Sequence, residues 1–170
     1  ACHKLFAELD KRGQLLKYYT QNIDGLEQEA GLSNEKILQA HGHIRSCACS
    51  ACLKPQDLAQ LKTHIVKGEV YRCPCGGAVK PDVILFGEAM PGSFQHEVQK
   101  VVQADLAIVA GTSLKVYPFA FLVQLLPKNV PVVLLNFENS LPRACEKLLF
   151  LQGDIEENSK KILADINRKD

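Results

Sequence analysis

Apolar side chains recur along this chain in two rhythms. In residues 3–11, Leu5, Phe6 and Leu9 fall at helical spacing, and Gly13 stands where a helix would be capped. Residues 56–66 are amphipathic in the same way, and residues 93–103 carry Phe94, Val98, Val101 and Val102 as one apolar stripe. A largely apolar helix is expected over 118–126, and a closing helix presents Ile155, Ile162, Leu163 and Ile166 on one side. The second rhythm is the short unbroken apolar run: residues 83–86, 106–110, 130–136 and 148–152. Near the start, 15–22 and 36–41 read as two further strands with a short helix over 25–30 between them, closed by Gly31. Strands that alternate with helices and are apolar on both faces imply a parallel sheet in an α/β fold.

Within this frame residues 18–32 stand out. A β-prone entry of Leu16, Tyr18 and Tyr19 stops abruptly at Thr20-Gln21-Asn22-Ile23-Asp24-Gly25, and Ala40-His41-Gly42-His43 follows. A strand ending in Gln, Asn and Asp sets amide and carboxylate groups at its carboxyl end, where open α/β sheets hold ligands. The plainer alternative is a polar strand-to-helix turn in which Asn and Asp act as caps. His41, between a strand and a glycine, is expected to face a cleft, and imidazole suits proton transfer near neutral pH.

From residue 44 to 79 the texture changes to many cysteines and few long apolar runs. Cys49 and Cys52 form a CxxC pair, and Cys73 and Cys75 follow after 20 intervening residues. Two such pairs suit a closed tetrahedral zinc site, which leaves no position for water and is therefore structural. A reduced cluster without metal is the alternative, and Cys47 competes with Cys49 as first ligand. Cys2 and Cys145 read as core thiols. His3, His64 and His96 fall on expected helices and read as solvent-facing.

The totals narrow the field. A chain of 170 residues with 46% hydrophobic and 23% charged residues suits one domain with a small insert. A net charge of +1 gives no electrostatic case for nucleic acid or a membrane surface, and the longest apolar runs are too short to span a bilayer. Seven cysteines, four of them in paired motifs, suit a reducing compartment, with cytoplasm or nucleus expected and a mitochondrial location left open.

Tyr18 to Leu32 with the AHG at 40–42, the cysteine module, KPDVILFGEAMP, GTSLKVYPFA and VVLLN together resemble the sirtuins, NAD-dependent protein-lysine deacylases, in the family's order. The resemblance implies a Rossmann-like parallel sheet, partial over residues 1–43 and 80–170, with a zinc module over 44–79. Sirtuins usually open with a strand, a glycine-rich loop and an Arg-containing segment. The resemblance here begins after these, so the fold is expected to be incomplete at its N-terminus and the 170 residues alone to hold NAD weakly. The second cysteine pair also departs from the family, with one intervening residue where two are usual.

Residue roles follow from the same resemblance. His41 becomes the general base, and His43 is not required to be histidine. Gln21 and Asn22 would hold the nicotinamide ribose, and Asp24 with the Ile23 backbone the carboxamide. Gly111, Thr112 and Ser113, then Asn136, then Gly153-Asp154 end three successive strands and form a ledge suited to the adenosine half of a dinucleotide. The resemblance gives Thr112, Ser113 and Asn136 ribose or phosphate contacts, sets Ile155 beside adenine and makes Glu138 a ribose contact. Ile84, Leu85, Phe86, Gly87 and Glu88 resemble one edge of the family's peptide site, and Leu114 and Val116 the other. A peptide would add there as a strand, with an apolar tunnel for a neutral acyl-lysine.

The implied reaction is attack of the acyl oxygen on C1′ of the nicotinamide ribose, ending in nicotinamide, O-acyl-ADP-ribose and free lysine on a histone or other protein substrate. Two alternatives stay open: a catalytically silent zinc-containing interaction domain, and protein ADP-ribosyl transfer.

Overall fold

The amphipathic opening forms helix α1 (Cys2–Lys11), which buries Leu5, Phe6 and Ala7. Gly13 follows its end at φ +68°, the left-handed conformation that closes helices most cheaply on glycine. Strands β1 (Tyr18–Thr20) and β2 (Ile37–Gln39) pair in a two-stranded sheet, and helix α2 (Leu26–Glu29) lies between them in sequence. The chain continues through β3 (Gly42–Cys49), β4 (Pro55–Gln56), α3 (Leu58–Lys67) and β5 (Val79–Val83). Next come α4 (Phe94–Val98), extended by a 3-10 turn over Gln99–Gln103, and β6 (Ala107–Ala110). A second 3-10 turn, Phe119–Phe121, leads into α5 (Leu122–Leu125), and β7 (Val132–Asn136), β8 (Leu148–Gln152) and α6 (Ile155–Asn167) complete the chain. This computed structural model describes residues 1–142 and 144–168.

Contacts divide the chain into two units, Ala1–Tyr18, Glu27–Leu38 and Gly92–Asp170 in the first, Tyr19–Leu26 and Gln39–Pro91 in the second. The first unit is built on a parallel sheet in the order β6-β7-β8. Its central strand holds Val132, Leu134 and Leu135 almost wholly buried, as expected of a strand with neighbours on both edges. Truncating Leu134 to Ala would cost about 2–5 kcal/mol, the usual range for a core leucine. Helix α1 packs on α6, and its Phe6 and Ala7 cluster with Leu15 and Leu32 against Tyr18 and Ile108. The parallel register pairs Ala110 with Leu135 and Asn136 with Gln152, so the three strands end side by side. The α/β fold with a parallel sheet is therefore as the apolar runs imply.

The second unit is an antiparallel sheet in the order β4-β3-β5, with α3 packed on it. Asp57 caps α3 by accepting from the N–H groups of Ala59 and Gln60, and Gly68 at φ +71° ends it. One core cluster in it is Cys47, Cys49, Leu61, Cys73 and Val79.

Several expected elements differ from what forms: 36–41 narrows to the strand Ile37–Gln39, and 118–126 divides into the 3-10 turn Phe119–Phe121 and α5. The strand expected over 15–22 shrinks to Tyr18–Thr20, because beyond it the Asn22 N–H turns onto Thr20 Oγ1 and leaves the ladder. The apolar run 83–86 is no strand: β5 ends at Val83, and the residues after it close a turn. Among the described residues no helix is long and apolar enough to cross a membrane.

Candidate functional site

The four sulfurs of Cys49, Cys52, Cys73 and Cys75 lie within 4.8 Å of one another. Cys49 Sγ is 3.4 Å from Cys75 Sγ, and Cys52 Sγ is 3.8 Å from Cys73 Sγ. Four thiolates at about 2.3 Å around tetrahedral zinc would stand about 3.8 Å apart, so the donor set fits that ion. Local geometry prepares it. The N–H groups of Cys52 and Ala51 point at Cys49 Sγ and bring its thiol down to about 6. The backbone at Cys75 draws the Cys73 thiol down too, but burial and the neighbouring sulfurs outweigh it and push that thiol up to about 11. Negative charge on one sulfur thus opposes it on the next, which a dication would relieve. A Cβ on Gly77 would lie 2.6 Å from Cys49 Sγ, so only glycine closes the second loop so tightly. Cys47 stands apart: its thiol donates to the Gln56 carbonyl at 3.3 Å, and burial, with Asp82 and Asp57, raises its pKa.

A cleft of about 450 Å³ in the same unit is lined by Gln21, Asn22, Ile23, Asp24, His41, Val83 and Ile84. His41 Nδ1 lies 3.1 Å from the Gln21 carbonyl. A carbonyl only accepts, so Nδ1 carries the proton and Nε2 is the basic nitrogen. The ring is set by the turn at Gly42, where φ is +73° and a Cβ would sit 2.0 Å from the Asp82 carbonyl oxygen. His41's own carbonyl accepts from Ile84 N–H at 2.9 Å, and the Ile23 carbonyl accepts from Ile44 N–H at 3.1 Å. Asp24 caps α2 through the Leu26 N–H at 3.1 Å, so the plainer reading of this aspartate also has a physical basis. His43, on β3, has its Nδ1 buried without a hydrogen-bond partner.

The turn after β5 is held by one carboxylate. Glu88 accepts from Leu85 N–H at 2.8 Å and from Lys80 Nζ at 3.0 Å, and these two bonds hold its pKa below the usual carboxylate range. Gly87 takes φ +88°, and Leu85 and Phe86 point outward at 54% and 98% exposure.

In the first unit, the strand ends build the ledge. Gly111, at φ +62°, approaches Ile155 so closely that a Cβ would lie 2.9 Å from its Cδ1. Asn136 Nδ2 donates to the Thr112 carbonyl at 2.9 Å, and Ser140 Oγ donates to the same carbonyl at 2.8 Å. Thr112 Oγ1 in turn accepts from Leu114 N–H at 3.1 Å, and buried Leu114 sits at φ +51°. Ser113 and Glu138 are exposed, and Val116 is half-buried. Ser140 was not legible in advance. Its only signal is a hydroxyl four residues beyond the end of an apolar strand.

The model of the Sir2 family matches residues 1–118. The chain belongs to the Sir2 family. It is 43% identical over 140 residues to the NAD-dependent protein deacetylase SIR2rp1 of Leishmania major, covering 81% of this chain and 38% of that protein. Against the NAD-dependent protein deacetylase sirtuin-2 of Danio rerio it is 39% identical over 169 residues, 96% of this chain and 45% of the other. The chain thus spans less than half the length of these sirtuins. A solved structure titled as a complex of Sir2 with a p53 peptide and NAD+ superposes with a TM-score of 0.88 at 27% identity, covering 98% of this chain and 69% of that one.

Proposed function

We propose that this chain carries most of the reaction site of an NAD-dependent protein-lysine deacylase. The observation behind this reading is the Sir2-family cleft in which Gln21 orients His41 with Nε2 as the basic nitrogen. When bound, NAD supplies the glycosidic bond whose cleavage carries the acyl group from lysine to ADP-ribose. His41 takes the proton released from a ribose hydroxyl. Gln21 and Asn22 hold that ribose, and Asp24 and the Ile23 backbone hold the carboxamide. Gly111, Thr112, Ser113, Asn136, Glu138 and Ile155 serve the adenosine side. The missing Cβ at Gly111 and the hydroxyls at 112 and 113 suit close approach of a ribose or phosphate. Ile84 to Glu88 and Leu114 to Val116 receive an acylated protein segment by main-chain pairing, which supplies affinity with little demand on sequence.

In this reading residues 1–43 and 80–170 form a partial Rossmann-like domain, and 44–79 form a module holding one structural zinc per chain. Reduced thiols of this kind suit cytoplasm or nucleus. The test incubates purified protein with NAD and an acetyl-lysine peptide. Slow formation of nicotinamide, O-acetyl-ADP-ribose and free lysine in equal amounts is expected, in keeping with weak NAD binding by the 170 residues alone. ADP-ribose bound to protein would make it a transferase, and unchanged NAD would leave an interaction domain.

A further inference from the structure

The buried sulfurs of the cysteine cluster are not equally supplied with hydrogen-bond donors. Zinc held by four thiolates leaves a net charge of −2 beside the apolar contacts of Leu58, Leu61 and Tyr71, and donors to sulfur are what disperse such charge. Cys49, 1% exposed, receives two backbone N–H groups, from Ala51 and Cys52. Cys73, 6% exposed, receives backbone support from Cys75 and one side-chain donor, Gln56 Nε2, at 3.6 Å. Cys75 is exposed and Cys52 half-buried, so solvent reaches both residues. Among the described residues Gln56 is the one side chain outside the cluster that donates to a sulfur within it.

Gln56 is held for this task from three directions. It forms half of the two-residue strand β4, paired with Cys47 on β3. Its carbonyl accepts the Cys47 thiol, which occupies the one nearby cysteine that could compete for metal. Its Nε2 also donates to the Lys54 carbonyl at 3.3 Å. A carbonyl cannot donate, so this contact orients the amide with nitrogen toward Cys73.

We propose that Gln56 is a positioning residue of the metal centre, which retains zinc by donating an N–H to the Cys73 thiolate. Cys47 acts through it, as a clamp rather than a ligand. The inference rests on the zinc reading of the four cysteines and asks more of it.

The experiment loads the chain with zinc and follows release to a chromogenic chelator. Q56L keeps the shape and removes the donor, Q56E presents a carboxylate to the sulfurs, and Q56K restores a donor of similar reach. Expected is release about 10-fold faster in Q56L, on the scale found when outer-shell partners of metal ligands are removed. Q56E should release faster still, and Q56K close to wild type. In cobalt-loaded protein, loss of an N–H to sulfur should move the sulfur-to-metal charge-transfer band of Q56L to longer wavelength. Wild-type release rates and an unmoved band in Q56L would overturn the proposal. Should Q56L not fold, equal release from Q56E and Q56K would overturn it as well. Wild-type protein that takes up no zinc would instead end the zinc reading beneath it.

Discussion

His41 and His43 are two residues apart, yet their surroundings differ in what they allow. His41 has its tautomer fixed by the Gln21 carbonyl and lines the cleft, whereas the Nδ1 of His43 is buried without a partner. Under the proposed deacylase reading, in an active full-length version carrying this site, His41→Ala should therefore lower turnover by on the order of 10²-fold or more, the usual contribution of a general base. His43→Ala should be mild, and peptide affinity should change little in either. Steady-state rates with NAD and an acetyl-lysine peptide check this, and reversed effects would place the base on the wrong histidine.

Glu97 makes a different kind of prediction. Its carboxylate takes Lys17 at 2.6 Å and Lys100 at 2.9 Å, and these two partners hold its pKa down to about 2. A depressed carboxylate contributes stability that is present above its unfolded pKa, about 4.3 for Glu, and is lost as pH falls through the folded value. Glu97→Gln leaves Lys17, whose side chain is 6% exposed, without its countercharge. The variant should be less stable at pH 7 by on the order of 1–3 kcal/mol. The gap to wild type should narrow between pH about 4.5 and 2, as thermal melts at stepped pH would record. A gap that persists unchanged at pH 2 would refute the ion-pair account.

Elements obey tighter rules than single contacts, and glycines expose them. At Gly42 a new Cβ meets the Asp82 carbonyl at 2.0 Å and the backbone is left-handed, so Gly42→Ala adds overpacking to conformational strain. The expected loss is about 2–4 kcal/mol. Gly31 is also left-handed, at φ +96°, but nothing lies within 4 Å of its would-be Cβ. Gly31→Ala should cost only the conformational part, about 1 kcal/mol. Urea midpoints of the two variants decide, and equal losses would mean that the Gly42 turn relaxes away from Asp82.

Much at this scale was legible in the sequence. The run 148–152 becomes β8 without change, paired along β7 at the edge of the parallel sheet, and the stripe in 155–166 becomes α6 with Ile155, Ile162, Leu163 and Ile166 half-buried on one side, as the apolar run and the 3.6-residue period suggest. The run 83–86 misled for a physical reason. Strand β5 pairs with β3 from Val79 through Lys80 and Pro81, two residues of low strand propensity, and again at Val83, and Glu88 then closes the turn that leaves Leu85 and Phe86 exposed. Likewise residues 93–103 carry a helical stripe but split into α-helix and 3-10 turn. At the cysteines, spacing brought four candidates together but could not choose between Cys47 and Cys49. That choice rests on strand pairing, which sets the Gln56 carbonyl of β4 against the Cys47 thiol of β3. Ser140 and its bond to Thr112 depend on two strand ends meeting, which no local pattern carries.

At the scale of the whole molecule, the two units are stabilised by different means. The unit of the parallel sheet buries Val132, Leu134 and Leu135 almost completely, as the apolar centre of its sheet. In the other unit the core cluster of Cys47, Cys49, Leu61, Cys73 and Val79 contains three cysteines, and two of these, Cys49 and Cys73, belong to the four whose sulfurs could hold a metal ion. Removing zinc there leaves thiols whose mutual repulsion or protonation disrupts the core itself, since metal binding and folding are one free energy in such small sites. Chelation should accordingly strip amide protection from β3 and β5 while β6 and β7 keep theirs, a separation of local stabilities that hydrogen exchange resolves. Zinc content near one ion per chain before chelation is part of the same expectation. Uniform loss of protection through both units would show that the parallel sheet depends on the metal as well. Protection left intact in β3 and β5 would show that the cysteine cluster holds its fold by packing alone.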